Sequence, residues 1–526
     1  MVTASTNCVA RCTETAKIKE AMSINDIRHL VVLMLENRSF DNLLGFLYDR
    51  QERPRVRVPH NDEAIFFGLD FDPGGGAEHG GDYWNPSNRD FFATPPAPAL
   101  KVPIMPAAVG DFRSPKPDPG EHFDRITAQI FGPGVPAIAP NHRMLGFVLD
   151  YAHSAGSAGA DDIMRYYQPS QVPVIASLGR NFAVCDRWFA ACPTQTLPNR
   201  AFAHTGTSCG KVNNWPYDPF DYNVPTIFNV LEESQKAPWG AKLSWKVYKD
   251  SHLHGFERIP VTRVQFPQLW NPNLNDHFRH LEDFQQDVRS GTLPTYSFIE
   301  PRLLIDGNDQ HPPRDIRPGE QLIYDVYESI RRSDRRAEIL LLITYDEHGG
   351  CYDHVPPPFG AVAPDERRKE PLFNFNRYGV RVPAILVSPY IEQGTVFRSA
   401  KHLHDNLESQ YDHTSILATL RDWLAIPSAR MLSSKRVAGA PTFANVLTRP
   451  SPREMPKIAV PVAVPLAEKG LHASDPVDDL EMSLAIGLMH WANQTSGLHD
   501  QLLMRKLLDR NFLITHLTEL ARRLPV

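Results

Sequence analysis

The chain has 526 residues and a formal net charge of −6 at pH 7, and it is 42% hydrophobic and 22% charged. These values are ordinary for a soluble globular protein, and the length allows a large core. The acidic and basic residues are mixed along the chain without long runs, which argues against a protein that binds nucleic acid. Proline is enriched, with 47 residues, so we expect many stiff loops.

The sequence has no uninterrupted apolar segment of about 18 residues, the length that a membrane helix needs. No signal-peptide pattern precedes the first predicted strand. We therefore expect a soluble protein that is cytoplasmic or exported by a route without a standard signal. Six cysteines in a chain of this length do not predict a disulfide framework.

The first strong pattern is an apolar run at residues 27–35 that is followed directly by Glu36 and Asn37. A second run, at residues 339–345, is followed by Asp346 and Glu347. Continuous apolar runs of this kind predict strands buried on both faces, as in parallel sheets. Because ligands of open α/β sheets bind at the carboxyl ends of strands, the two doublets can meet at one edge. Clustered carboxylates repel one another without a cation, so this pattern predicts a metal site.

Further buried strands are predicted at residues 295–299 and 383–387, with a helix between Gly319 and Ser333. This alternation predicts a layered α/β domain. The Gly- and Pro-rich region up to about Pro140 is long enough to be a functional loop or lid.

We predict three parts along the chain: an N-terminal segment (1–26), a catalytic domain (27–449), and a proline-rich linker with a helical C-terminal extension (450–526). In the extension, Leu480, Leu484, Leu488 and Trp491 form an amphipathic stripe. A helix docked on the core is favoured over a helix that binds a partner.

Four motifs occur between residues 27 and about 425: ENRSFD at 36–41, TLPNR at 196–200, NDQHP at 308–312 and YDEHGGCYDHVPP at 345–357. In this order they resemble the bacterial and plant phosphoesterase family of non-specific phospholipases C and respiratory-burst-inhibiting acid phosphatases. The resemblance implies an alkaline-phosphatase-like fold: a three-layer αβα sandwich around a largely parallel central sheet, with long loop insertions. It also implies a phosphomonoester or phosphodiester substrate.

Hydrolysis of a phosphate ester needs a nucleophile, a cation that activates it, and a proton donor for the leaving group. By resemblance, Thr196 is the nucleophile and forms a phospho-threonine intermediate; Thr194 is the competing hydroxyl. The resemblance places Thr196 on one divalent cation, with four further ligands from the two doublets: Glu36, Asn37, Asp346 and Glu347. An all-oxygen ligand set favours calcium, magnesium or manganese, and zinc stays open.

Imidazole changes its charge near neutral pH and suits phosphate binding or proton donation. By resemblance, His311 and His354 line the site, and one of them is the general acid. Substrate-binding roles are predicted for His122, Asp309 and His413. In the family, a histidine follows Asp-Pro-Gly directly, whereas here Glu121 intervenes before His122, so the role of His122 is open.

The sequence therefore predicts a metal-dependent phosphoesterase, and a phospholipase C that releases diacylglycerol and a phosphorylated headgroup is favoured. An acid phosphatase acting on monoesters is the alternative within the enzyme class, and a catalytically inactive binding protein is the alternative outside it. A transient contact with a membrane surface is compatible with the favoured interpretation. The headgroup, the oligomeric state and the role of the tail are not given by the sequence. Aromatic residues of the long loop region hint at an apolar, lipid-accepting entrance: Phe66, Phe67, Tyr83, Trp84, Phe91 and Phe92.

Overall fold

The computed structural model describes residues 24–48, 54–60, 66–69, 83–138, 141–236, 243–251, 259–303, 307–367, 373–399, 409–464 and 479–493, together with positions 515 and 519. Nearly all of the predicted N-terminal segment lies outside these residues. Asp475 and Pro476, an Asp-Pro pair that predicts the start of the C-terminal helix, also lie outside them. The boundaries of the three predicted parts stay a prediction.

The described strands are β1 His29–Leu35, β2 Val56–Val58, β3 Trp84–Pro86, β4 Lys101–Pro103, β5 Met105–Pro106, β6 Arg165–Tyr166, β7 Ala183–Cys185, β8 Trp245–Lys249, β9 Phe278–His280, β10 Tyr296–Glu300, β11 Ile339–Tyr345, β12 Ala384–Val387 and β13 Thr395–Phe397. The described α-helices are α1 Phe40–Leu44, α2 Phe123–Phe131, α3 Phe147–Gly159, α4 Pro173–Asn181, α5 Thr196–Thr205, α6 Ile227–Ser234, α7 Val261–Gln265, α8 Leu281–Ser290, α9 Arg317–Arg331, α10 Thr414–Trp423, α11 Lys435–Gly439 and α12 Asp479–Asn493.

Nine of the described strands form one sheet in the order β2-β13-β7-β12-β11-β1-β10-β8-β9. The central strand β1 runs parallel to both β10 and β11. Among the described pairs of this sheet, those of β12 are antiparallel. The apolar side chains of β1 and β11 are almost completely buried, as expected for strands covered on both faces.

Helices cover both faces of this sheet, as two aromatic residues of β8 show. Trp245 packs on Phe228 of α6 with the rings 4.9 Å apart, whereas Tyr248 packs on Phe284 of α8 at 5.4 Å. Residues 245 and 248 point to opposite faces of a strand, so α6 and α8 lie in different layers. Helices α4 and α9 pack in the same layer as α8, and α5 packs in the same layer as α6. The predicted three-layer α/β fold is confirmed.

The C-terminal helix α12 is docked on the domain. It packs against α7, and Trp491 stacks on Trp270 with the ring centroids 5.9 Å apart. Its apolar side chains are buried. None of the described helices has both the length and the apolar character required to cross a membrane.

Candidate active site

The two acidic doublets lie side by side at one edge of the sheet. Strands β1 and β11 pair in parallel with Leu35 opposite Tyr345, so Glu36 and Asp346 follow directly at the carboxyl ends of neighbouring strands. Both residues are fully buried, as are Asn37 and Glu347. The structure thus brings together the side chains predicted to bind a metal.

Several oxygens of this group make no hydrogen bond to the described part of the chain. They are both carboxylate oxygens of Glu36 and the amide oxygen of Asn37. The amide nitrogen of Asn37 lies 2.5 Å from Glu347 Oε1. Since buried polar atoms are normally satisfied, buried oxygens left over in a carboxylate cluster fit the ligand set of a hard divalent cation.

The protonation equilibria reflect the same crowding of negative charge. Burial raises the pKa of Glu36 well above its ordinary value, and the charge of Asp346 raises it further. Burial also raises the pKa of Glu347 well above its usual range. For Asp346, burial outweighs the opposing charge of Arg200 and raises the pKa to about 6. A bound cation would favour the ionised form of all three groups.

Two glycines allow the loop after Glu347 to pass close to its neighbours. Gly349 and Gly350 both have φ of +62°. A Cβ on Gly349 would lie 2.1 Å from the backbone oxygen of Asn37, and one on Gly350 would lie 2.5 Å from Pro119 Cβ. Only glycine fits both the left-handed conformation and the space.

Thr196 is the first residue of α5. Arg200, one turn further along the same face, donates from Nε to Asp346 Oδ2 at 3.1 Å and lies 3.4 Å from Glu36 Oε1 through its terminal nitrogen. The positive end of the helix dipole favours negative charge on a hydroxyl at this position. Thr194 differs, because its hydroxyl donates to the backbone oxygen of Val212. These contacts favour Thr196 over Thr194 as the nucleophile.

His311 lies in a loop that is fastened to the end of β1. The backbone oxygen of Asp309 accepts from the Glu36 amide at 3.0 Å, and its carboxylate accepts from the His311 amide at 2.8 Å. The Asp309 carboxylate also pairs with Arg314. Asp309, predicted to bind substrate, therefore acts as a brace for His311.

Glu121 is a residue that the sequence analysis missed. It is buried, and its Oε1 lies 3.2 Å from the Asn37 amide nitrogen and 3.4 Å from His311 Nε2. Burial raises the pKa of Glu121, but the charge of His311 and the hydrogen bonds from His311 and Asn37 outweigh it and leave the pKa lowered. For His311, burial lowers the pKa, but the carboxylates of Glu121 and Asp118 raise it well above 6.5.

The substrate-binding role of His122 stays a prediction. Its side chain is half exposed and makes an ion pair with Asp479 of α12, with Nε2 2.8 Å from Oδ2. Glu121, not His122, turns toward Asn37. The sequence did contain a signal for Glu121, because this residue directly follows Asp118-Pro119-Gly120, at the position where the family has a histidine.

His354 belongs to a separate group of charged side chains. Its Nδ1 donates to Asp41 Oδ2 at 2.6 Å, and the ring lies 4.7 Å from that of Tyr83. Arg381 donates to both Asp41 and Asp353. The contacts of His311 lead to the acidic doublets, through Asp309 to the Glu36 amide and through Glu121 to Asn37.

His413 is fully buried and is held by the protein through both ring nitrogens. Nε2 donates to the backbone oxygen of Asp346 at 2.6 Å, and Nδ1 accepts from Trp188 Nε1 at 3.4 Å. Burial lowers the pKa to about 4, so the ring is neutral. His413 is therefore in a position to hold the loop at Asp346, and its substrate-binding role stays a prediction.

Residues of α12 contact the supports of the site. Ser483 donates to the backbone oxygen of Asn214 at 3.1 Å. The side chain of Asn214 in turn accepts from the Leu197 amide at 2.8 Å, in the first turn of α5. The C-terminal extension thus helps to fix the helix that carries Thr196.

The model of the phosphoesterase family matches residues 27–427. The chain therefore belongs to the phosphoesterase family. Non-specific phospholipase C6 of Arabidopsis thaliana is 32% identical to it over 480 residues, which cover 87% of this chain and 78% of the relative. Non-specific phospholipase C4 of the same plant is 33% identical, covering 81% and 73%. Phospholipase C B of Mycobacterium tuberculosis is 25% identical, covering 77% and 74%.

As a member of this family, the protein is a hydrolase of phosphoric esters. Among solved structures, a protein in the alkaline phosphatase superfamily from Vibrio parahaemolyticus is similar with a TM-score of 0.28 and 12% identity, over 48% of this chain and 60% of that chain. A likeness of this size says nothing about function, and the fold assignment stands on the sheet and layers described above.

Proposed function

We propose that the protein is a metal-dependent phospholipase C that cleaves phospholipids to diacylglycerol and a phosphorylated headgroup. The observation that carries the proposal is the meeting of Glu36, Asn37, Asp346 and Glu347 beside the first turn of α5. The relatives named as phospholipases C, in a plant and in a bacterium, support the choice of substrate class.

The two doublets would hold the cation, with Thr196 completing the ligand set. When bound, the cation would lower the pKa of the threonine hydroxyl and balance the charge of the phosphate. The oxygen ligands favour a hard ion such as calcium, magnesium or manganese. Arg200 keeps the helix that carries Thr196 fixed to Asp346.

In the proposed reaction, Thr196 Oγ1 forms a bond to phosphorus while the bond from phosphorus to the glycerol oxygen breaks. The headgroup phosphate is then covalently attached to Thr196, and diacylglycerol leaves with a proton on its oxygen. Water cleaves the phospho-threonine bond in the second step, which releases the phosphorylated headgroup and restores the hydroxyl.

The glycerol oxygen needs a proton or a positive charge as it leaves. Of the two histidines predicted for this role, His311 has described contacts that lead to the acidic doublets. We therefore place His311 on the leaving-group side. His354, held by Asp41 and stacked on Tyr83, is the weaker candidate.

The aromatic residues expected at a lipid-accepting entrance do not support the choice of substrate. Phe66, Tyr83 and Trp84 are buried, and Phe67, Phe91 and Phe92 are half-buried. Loop residues with strongly exposed apolar side chains include Leu100, Val109 and Phe220. These are scattered along the sequence, so the proposal rests on the site and the relatives.

The experiment is an assay of the purified full chain on phosphatidylcholine vesicles, para-nitrophenyl phosphorylcholine and para-nitrophenyl phosphate, with and without chelator. We expect cleavage of both diesters, loss of activity on chelation, and recovery on adding a divalent ion. Turnover of the monoester alone would favour the acid phosphatase. No turnover of any ester with any divalent ion would contradict an enzymatic role.

A further inference from the structure

Beside the predicted metal ligands lies a second group with the composition of a metal site. Asp118, Glu121 and His311 each place one potential ligand atom within 4.8 Å of the other two. Glu121 and His311 are buried, and the Asp118 side chain is 42% exposed. Two carboxylates and an imidazole with one side open to solvent form a ligand set that leaves positions for water or substrate.

The imidazole of His311 is oriented as metal-binding histidines are. Its Nδ1 lies 2.6 Å from the backbone oxygen of Pro312 and donates to it, so Nε2 is the nitrogen that can bind a metal once it has lost its proton. Metal-ligating histidines usually donate their other ring nitrogen to a carbonyl or carboxylate in this way. Nε2 lies 3.4 Å from Glu121 Oε1, and a cation bound there would replace the proton that Nε2 shares with this carboxylate.

The amide of Asn37 links this group to the predicted metal site. Its Nδ2 lies 2.5 Å from Glu347 Oε1 and 3.2 Å from Glu121 Oε1. Its Oδ1 is buried and has no hydrogen-bond partner among the described residues. The amide nitrogen of Asn37 thus joins the two carboxylates, and its buried oxygen remains able to bind a cation.

The charges around Asn37 also exceed what one cation can balance. Four buried carboxylates share this end of the sheet: Glu36, Asp346, Glu347 and Glu121. Among the described residues, Arg200 is the guanidinium in contact with this set. One divalent ion, Arg200 and a protonated His311 together balance these four charges, but the neighbouring Asp118 carboxylate adds a fifth and leaves the site negative before an anionic phosphate enters. A second divalent ion in place of the His311 proton would make the site neutral, and a phosphodiester would then be repelled less.

We propose that Asp118, Glu121 and His311 hold a second divalent cation. The inference rests on the proposed function, because it assigns this ion to the leaving-group side of the same site. There it would offset the negative charge that develops on the glycerol oxygen, and His311 would act as its ligand. Glu121 is the residue that makes this chain suited to a second ion.

The test counts ions directly. Purified full chain would be stripped with chelator and dialysed against Mn²⁺, and the bound manganese per chain would be measured by elemental analysis and by electron paramagnetic resonance. We expect two ions in the wild type and one in Glu121→Gln. His122→Gln is the matched control at the adjacent position, and it should keep two ions.

If Glu121→Gln does not fold, a second variant at the partly exposed ligand still tests the proposal. Asp118→Asn, at a partly exposed side chain, should weaken the second ion by at least about tenfold and leave the first unchanged. Two ions in Glu121→Gln, or unchanged affinity in Asp118→Asn, would overturn the proposal. A third outcome is that the active wild type binds one ion and Asp346→Asn binds none. That result would overturn this inference and keep the proposed function. No bound ion and full activity in chelator would overturn both.

Discussion

Two clusters of buried histidine and carboxylate groups lie on the loops that follow the sheet, and they differ in how their charges are balanced. In the His354 cluster, Arg381 donates to Asp41 at 2.8 Å and to Asp353 at 2.9 Å. In the His311 cluster, the neighbouring Arg314 pairs with Asp309. Arg381 held by two carboxylates completes a structural brace, whereas Asp118 and Glu121 face the imidazole of His311, which a cation can replace as their partner.

The pKa shifts vary within each cluster: burial outweighs the charge of Arg381 and raises the pKa of Asp353 to about 6, whereas for Glu121 burial is outweighed by the charge of His311 and the pKa is lowered. One carboxylate on each side shows the effect of its charged neighbours. Burial raises the pKa of Asp41, but the charges of His354 and Arg381 outweigh it and leave the pKa lowered. At the other cluster, burial raises the pKa of Glu347 well above its ordinary value, and the charge of Glu121 raises it further. The comparison predicts chemistry on the side of His311 and structural support on the side of His354.

The largest expected effect comes from removing the nucleophile beside the unbalanced carboxylates. Thr196→Ala should lower kcat on phosphatidylcholine by at least about four orders of magnitude, because no hydroxyl remains to form the covalent intermediate. The variant deletes little core volume and should keep the melting temperature nearly unchanged. Thr194→Ala is the control and should retain most activity; the reverse result would move the nucleophile to Thr194.

Substitutions of His311 and His354 test the two clusters separately. His311→Ala should lower kcat/KM on phosphatidylcholine by about two to four orders of magnitude. On para-nitrophenyl phosphorylcholine the loss should be much smaller, since that leaving group needs little neutralisation. His354→Ala should lower kcat/KM on the natural ester by less, and it should lower kcat/KM on both esters by the same factor. Equal losses for both variants on both esters would rule out a leaving-group role for either residue.

Much of the site's framework was predictable because it lies at strand ends. The apolar runs before Glu36 and Asp346 predict neighbouring buried strands, and parallel pairing then requires the doublets to meet. The histidines were harder, because His122, His354 and His413 have the right chemistry but direct their rings to Asp479, Asp41 and Asp346, respectively. Ring direction depends on tertiary contacts that no local pattern contains.

Glu121 shows the same limit of sequence analysis, here for a residue that was not predicted. The sequence marked its segment as part of the family pattern, but residue type alone favoured the adjacent histidine. What decides is the path of the loop: Gly350 lets the chain pass Pro119 closely, which turns position 121 toward Asn37. The docking of α12 on α7 likewise depends on an aromatic contact between Trp491 and Trp270, two residues far apart in the chain.

Removing the guanidinium from the balanced cluster tests its structural role. Arg381→Met should destabilise the fold by about 3–5 kcal/mol, since it leaves Asp41 and Asp353 buried without their partner. Chemical denaturation monitored by tryptophan fluorescence measures the change. Activity per folded molecule at low temperature should stay close to that of the wild type. A loss of kcat in fully folded protein would place Arg381 in the chemistry and contradict the comparison.

The smallest expected effect is a pH dependence at the edge of the site, where His122 pairs with Asp479. The hydrogen bond that His122 donates to Asp479 outweighs burial and raises the pKa of His122 above 6.5. A histidine with a raised pKa in the docked state stabilises docking fully below pH 6.5, and this stabilisation is lost as pH rises through the raised value. Hydrogen exchange in α12 should therefore become faster, beyond its intrinsic pH dependence, as pH rises above 6.5. In Asp479→Asn this pH-dependent step should disappear, and exchange should be fast throughout. A step of the same size in Asp479→Asn would assign the pH dependence to another group and leave the His122 contact without a part in docking.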